Sequence, residues 1–284
     1  MGEWRIPLGV WAEAGIEWVQ ETFEGFFEVL GDLLTAGYTQ LTAVLNWPPA
    51  IVMILILGVA GFLARGVAFG AASTAALLLI QLLGQWSNAM MTLSLVIVAV
   101  VVAAVAGIPI GIAAARSQVV SNVVRPVLDF MQTLPPLVYL IPAVVIFSVG
   151  VVPGIIATIV FAMPPAVRLT ELGIRQVDAE VVEAGHAFGS KPGEILRQIQ
   201  IPLARPTIMA GVNQVIMLAL SMVVLAGFVG GPGLGQQVLS AISRLEVGLG
   251  VEAGLAVVIL AIYLDRLTAA LGTGSGASRL LKTK

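Results

Sequence analysis

Fifty consecutive residues, Gly66 to Ala115, contain no Asp, Glu, Lys or Arg. Residues 33–64, 130–167 and 206–243 are equally free of these charges. The fifty-residue run alone is long enough for two membrane passes of about 20 residues each. Inside lipid every backbone polar group must be satisfied by the chain itself, which leaves only helices and closed barrels. The runs are continuous Ala, Val, Ile, Leu and Gly, without the alternation of a barrel strand, so the spans are helical. Charged residues make up 11% of the 284, and mean hydropathy is +1.02. A soluble domain carries about 25% charged residues. The expected fold is all-α, a polytopic bundle embedded in membrane lipid.

Seven spans are expected, near 48–65, 69–86, 91–115, 128–149, 153–168, 207–229 and 248–265. Pro48 and Pro49 suit a helix start after Trp47, and Val152-Pro153-Gly154 suits a tight turn between two spans. Ahead of them, residues 8–34 place Trp11, Trp18, Phe23, Phe26, Phe27 and Leu30 at helical spacing, with Glu13, Glu17, Glu21, Glu24 and Glu28 mainly opposite. This is an amphipathic helix suited to the membrane interface or to packing on the bundle. The chain thus divides into an external segment 1–46, a transmembrane domain 47–271 with a polar loop at about 169–206, and a tail 272–284.

Basic residues set the orientation. With the polar loop in the cytoplasm, Arg65, Arg116, Arg125, Arg168, Arg175, Lys191, Arg197, Arg205, Arg266, Arg279, Lys282 and Lys284 all lie inside, and only Arg5 and Arg244 outside. Twelve against two satisfies the positive-inside rule, with the amino terminus out and the carboxyl terminus cytoplasmic. The first residues carry acids rather than a basic region, which argues against a cleaved secretory signal. With no cysteine and a single histidine, neither disulfides nor a thiolate or histidine metal cluster is available.

The charged interval after Arg168 is the one place where a bundle of this kind offers a polar surface. Asp178 to Phe188 reads as a short helix of small residues, with Gly189 ending it and Lys191-Pro192-Gly193 opening another. Val182, Ala184, Gly185 and Ala187 permit close approach, while Glu183, His186 and Phe188 offer polar and apolar contacts. An ordinary amphipathic helix on the membrane surface is the plainer alternative.

Glu183-Ala184-Gly185, three residues, Gly189, nine residues and Ile199-Gln-Ile-Pro202 resemble the loop signature of permease subunits of ATP-binding-cassette importers. Gly185 and Ile201 depart mildly from it. Arg125-Pro-Val-Leu-Asp129-Phe-Met-Gln132-Thr133-Leu-Pro135, Tyr139-Leu-Ile-Pro142, Pro206-Thr-Ile-Met-Ala-Gly211-Val-Asn213-Gln214, Leu220-Ser221-Met222 and Leu264-Asp265-Arg266-Leu267 are similar to the glycine betaine/proline betaine branch of that family. The resemblance is dense from about Arg116 to Leu271. It implies a type I importer fold and a prokaryotic plasma-membrane location. It further implies a homodimer of permeases, a cytoplasmic ATPase that receives Asp178–Gly189, and an external substrate-binding protein delivering quaternary ammonium osmoprotectants.

The chain has no Gly-x4-Gly-Lys-Ser/Thr phosphate loop, so ATP and its Mg2+ are expected on the partner ATPase, and this subunit is not an enzyme. No nucleic-acid partner is expected. Gly231, Gly233 and Gly235 form an external bend, read equally as part of an outer gate or as plain turn geometry. Gln132, Thr133, Tyr139, Asn213, Gln214 and Ser221 are candidates for the solute pathway, although helix–helix hydrogen bonding explains such polar groups as well. Asp129 suits an i,i+4 pair with Arg125, and Asp265 with Arg266 suits the end of the last span. An ion-coupled secondary carrier remains a rival, disfavoured by the lack of a visible charge inside the spans. A scaffold or sensor using the acidic outer helix is another. Within the transport class, choline, carnitine, proline or another small solute fits these residues too.

Overall fold

The computed structural model describes residues 7–272. The tail 273–284, with Arg279, Lys282 and Lys284, and the amino-terminal residues with Arg5 lie outside the described part. Helices account for 89% of the structure, with no strands among the described residues. Four stretches are long and apolar enough to cross a membrane: Trp86–Arg116, Val151–Arg175, Pro192–Val229 and Val247–Ala270. Two bent helix pairs raise the total to six, and a shorter apolar helix covers Val67–Leu82.

The amphipathic segment is two helices rather than one. α1 covers Leu8–Thr22 and α2 covers Glu24–Asn46, well past the expected end at 34. Phe23 interrupts the helical backbone, yet its carbonyl accepts the N–H groups of Phe26 and Phe27 at 3.0 Å each, so the break leaves its polar groups satisfied. α1 buries none of its residues, and Trp11 and Trp18 remain exposed. α2 buries Leu34 and Tyr38 in the main core and sets Phe27 edge-on to Phe147, with centroids 5.6 Å apart. At Trp47-Pro48-Pro49 the chain bends by 101° into α3, Ala50–Arg65. There Pro49 supplies the fixed φ of a helix start.

α3 and α4 (Val67–Leu82) form a hairpin turned at Gly66, whose φ of +91° excludes ordinary side chains. Their contact depends on small residues: a Cβ at Gly58 would lie 2.1 Å from Thr74 Oγ1. With no hydrophobic drive between helices in lipid, such close backbone approach is what gains dispersion energy.

The centre of the bundle is α5, Trp86–Arg116, which buries Met90, Leu95 and Val96 almost fully. It packs on α8 (Val151–Ala162) and α9 (Pro164–Arg175), which continue as one 25-residue apolar stretch. Pro164 and Pro165 are tolerated there because they fall in the first turn of α9. The span expected at 153–168 therefore extends to Arg175 and draws Glu171 out of the loop. The turn ahead of it lies at Ser148-Val149-Gly150, with φ of +60° at Ser148, and Pro153 sits inside α8.

The span expected at 128–149 is broken. α6 runs from Gln118 to Thr133, a 3-10 turn covers Pro136–Tyr139, and α7 covers Leu140–Phe147, with a bend of 107° between the two halves. Pro135 and Pro136 cannot supply the N–H groups a continuous helix needs, and Leu134 before them is extended, with ψ of 137°.

The chain then passes through α10 (Ala179–Ala187) and α11 (Pro192–Ile195). A π turn at Leu196–Gln200 leads into α12, Ile201–Ala226. Only 176–191, rather than the whole of 169–206, therefore lies outside the long helical stretches. α13 (Leu234–Arg244) and α14 (Val247–Gly272) complete the fold. Asp265 lies within α14 rather than at its end.

Candidate coupling helix and its supporting network

Local sequence rules account for α10. Asp178 is its N-cap, and its Oδ1 accepts the Glu180 N–H at 2.9 Å. At the far end the Phe188 N–H donates to Ala184 O at 3.1 Å and the Ser190 N–H to Gly185 O at 3.1 Å, with Gly189 at φ +79°. A left-handed glycine closing a helix this way leaves its last carbonyls satisfied. The next start is set by Glu194, whose Oε2 accepts the Lys191 N–H at 2.9 Å.

The helix lies on α11 and the π turn that follows it, with its closest approach at Gly185. Gly185 is its one buried residue, and a Cβ there would lie 2.9 Å from Ile199 Cδ1 and 3.3 Å from Ile195 Cγ1. Glycine at the second position of the Ala-Ala signature thus has a local packing reason. Val182 is half-buried, while Asp178, Glu183, Ala184, His186, Ala187 and Gly189 are exposed, as is Pro202 at the start of α12. Phe188 is 90% exposed. A cleft of about 530 Å3 separates α10 from α5 and α9, with Glu183, His186, Arg116 and Arg175 on its walls.

A polar knot ties the base of this loop to the bundle. Glu171 Oε1 accepts from Ser121 Oγ at 2.8 Å and from Arg125 at 2.9 Å, and lies 3.1 Å from Arg175 Nε. Arg175 also donates to Ala114 O and to Gln118 Oε1, at 2.9 Å each. The end of α5, α6 and α9 are thereby joined through two side chains. Asp129 pairs with Arg168 rather than with Arg125, its expected i+4 neighbour. Helix spacing alone favours the local pair; antiparallel packing of α6 on α9 brings the more distant charges closer. Glu171 is 3% exposed and sits inside an apolar stretch, so a buried charge is present in the spans after all. Three counter-groups on a single carboxylate oxygen make that burial tolerable. The sequence signal for it is the i,i+4 spacing of Glu171 and Arg175.

The remaining candidates fall in three places. Gln132 and Thr133 are exposed at the end of α6, and Tyr139 reaches back from the bend to donate to Met131 O. Gln214 and Ser221 lie on an exposed side of α12, with Ser221 Oγ donating to Met217 O. Asn213 instead faces α14: its Nδ2 donates to Asp265 Oδ1 at 2.9 Å, and its Oδ1 accepts from Thr268 Oγ1 at 2.7 Å. Gly231, Gly233 and Gly235 are buried in the bend after α12. A Cβ at Gly235 would lie 2.0 Å from Val223 O, and the buried Thr92 hydroxyl accepts the Leu234 N–H at 2.8 Å. That bend is packed against α5 and α12 at backbone contact.

A bundle of broken and continuous apolar helices, with a capped helix held outside it, defines a multi-pass membrane protein. The chain belongs to the family described as binding-protein-dependent transport system inner membrane component, whose model matches residues 107–274. It is 47% identical over 273 residues to the glycine betaine/proline betaine transport system permease protein ProW of Escherichia coli K12, covering 95% of this chain and 76% of that one. The glycine betaine transport system permease protein OpuAB of Bacillus subtilis 168 is 46% identical, with 93% and 94% covered. The glycine betaine/carnitine transport permease protein GbuB of Listeria monocytogenes is 45% identical, with 93% and 95% covered. Two solved structures of inward-facing conformations of the MetNI methionine ABC transporter share the fold. Their TM-scores are 0.56 and 0.58 at 22% and 20% identity, over 64% and 66% of this chain and 91% and 94% of theirs. The chain is a permease subunit and not an enzyme.

Proposed function

We propose that this chain is the membrane permease of an ATP-driven importer for glycine betaine, proline betaine and related quaternary ammonium osmoprotectants. ATP is hydrolysed by a separate cytoplasmic ATPase, and solute arrives on an external binding protein. The observation that carries this reading is α10: a capped nine-residue helix outside the bundle, seated through Gly185 and leaving Phe188 almost wholly free. A helix of this form fits a cleft on a soluble partner, with Glu183 and Phe188 as contacts.

In the proposed cycle, closure of two ATPases on each other moves their docked α10 helices together. The Glu171 knot passes that displacement to α5, α6 and α9, and the glycine bend at 231–235 opens or seals the outer side. Two permease copies line one pathway. Gln214, Met217 and Ser221 form an exposed stripe on α12, with Phe228 exposed in the 3-10 turn just beyond it, suited to an aqueous path or a second copy. The twelve-to-two distribution of basic residues favours a cytoplasmic side for the loops that carry them. A quaternary ammonium group donates no hydrogen bonds and is held best by aromatic faces. Tyr139, Phe147, Phe161, Phe228 and Tyr263 form no evident cage in the sequence, and tight capture is assigned to the binding protein.

Reconstitution tests this reading. Vesicles containing the permease, its ATPase and its binding protein should accumulate labelled glycine betaine only with ATP present. Accumulation by the permease alone, driven by an ion gradient, would instead establish a secondary carrier. Competition by carnitine or choline in the same vesicles ranks the alternative solutes.

A further inference from the structure

Away from α10, two arginines from different helices converge on one apolar groove. Arg65 ends α3 at the Gly66 turn, and Arg266 lies on α14; both line a cleft of about 310 Å3 between α4 and α14. Ala72 and Ala76 open the groove on the α4 side, and Ile259 and Ile262 form the α14 side. Phe69 stacks on Tyr263 across it, with rings 12° from parallel and centroids 6.3 Å apart. The Tyr263 hydroxyl is already committed to Leu57 O at 2.8 Å, so the interior of the groove presents no free polar group from that ring.

The charges here are unbalanced. Arg65 makes no ion pair among the described residues. Arg266 reaches Asp265 only through Nε at 3.7 Å, while Asp265 already accepts from Asn213 on its other oxygen. Among the described residues, two guanidiniums on one apolar groove therefore lack an anion of matching geometry. The terminal nitrogens of Arg266 and the whole fork of Arg65 are free to bind one. In a membrane, the molecule that supplies an apolar chain and a phosphate together is a phospholipid. Basic pockets between membrane helices bind anionic headgroups in this way.

We infer that the α4–α14 groove binds an anionic phospholipid, its acyl chain along Ala72, Ala76 and Ile259 and its phosphate between Arg65 and Arg266. The site is independent of which solute the chain transports. A bound lipid of this kind would brace the α3–α4 hairpin against α14.

The test uses the purified, delipidated full-length chain and native mass spectrometry, with phosphatidylglycerol and phosphatidylcholine of identical acyl chains. The first phosphatidylglycerol should bind at least about tenfold more tightly than phosphatidylcholine, as two nearby arginines imply. R65Q/R266Q should abolish that preference, and millimolar inorganic phosphate should not displace the lipid. Ala76→Phe keeps both arginines and fills the groove, so it should weaken the first phosphatidylglycerol as well; this variant decides the matter if the double arginine variant does not fold. Equal binding of the two lipids by the wild type, a preference that survives R65Q/R266Q, displacement by free phosphate, or unchanged binding by Ala76→Phe would each overturn the assignment.

Discussion

Glu171 and Arg125 stand 46 residues apart in sequence and 2.9 Å apart in space, the carboxylate buried on α9 and the guanidinium half-open on α6. The same carboxylate oxygen accepts from Ser121, and the flanking Arg175 reaches Ala114 and Gln118. Three helices at the base of the polar loop, α5, α6 and α9, therefore move together or break a buried ion pair. Removing one partner of such a group leaves the others without a counter-charge, which is more costly than the net contribution of the intact pair.

Glu171→Ala should destabilise the chain by about 1–3 kcal/mol, the penalty for stranding buried polar partners, discounted because Arg125 is largely solvated. Glu171→Gln keeps an acceptor for Ser121 and should lose less. Thermal unfolding in detergent measures both; equal stability of wild type and Glu171→Ala would show that the knot holds nothing.

Gly111 faces Thr170 across the α5–α9 contact, where a Cβ would lie 2.6 Å from Thr170 Cβ and from Val167 O. Gly111→Ala should cost about 1–3 kcal/mol by overpacking, and Gly111→Val should leave little folded protein. Size-exclusion profiles after membrane extraction read the outcome. A monodisperse Gly111→Val peak would mean that α5 and α9 separate without penalty.

Thr92 offers its hydroxyl to the Leu234 N–H inside the bend that follows α12. Thr92→Val preserves shape and strands that donor, at about 1–3 kcal/mol, while Thr92→Ser should stay near the wild type. Deuterium exchange at Leu234 should accelerate in Thr92→Val only. Unchanged exchange would mean that the bend is held by packing alone.

Phe188→Ala should alter stability by no more than about ±0.5 kcal/mol, since the ring touches almost nothing in this chain. It should nonetheless reduce co-purification of the ATPase and solute uptake severalfold. Gly185→Leu should do the same by lifting α10 off Ile195 and Ile199. Normal uptake by a stable Phe188→Ala complex would remove that ring from the docking contact.

Charge-free runs and helix punctuation made much of this architecture readable from the chain. Pro49 opens α3 and Asp178 caps α10 because these residues act through their own backbone and immediate neighbours. Apolar content, which continues to Phe147, says nothing about the missing N–H that breaks the span at Leu134–Pro135. Polarity alone places Glu171 in the loop; its burial comes from partners on α6 that no local window contains. The Asn213–Asp265 contact was out of reach for the same reason, being set by α12 meeting α14. The groove between α4 and α14 left only two separated arginines as its trace, each an ordinary positive-inside residue by itself.

The central claim is that α10 carries the contact with a separate ATPase on the cytoplasmic side. The chain contains no cysteine, so Phe188→Cys gives a single thiol at the exposed end of that helix. In membranes holding the whole complex, this thiol should crosslink to the ATPase, and a membrane-impermeant maleimide should reach it only after the cells are opened. Labelling of Phe188→Cys from outside intact cells, with no crosslink to the ATPase, would contradict the account.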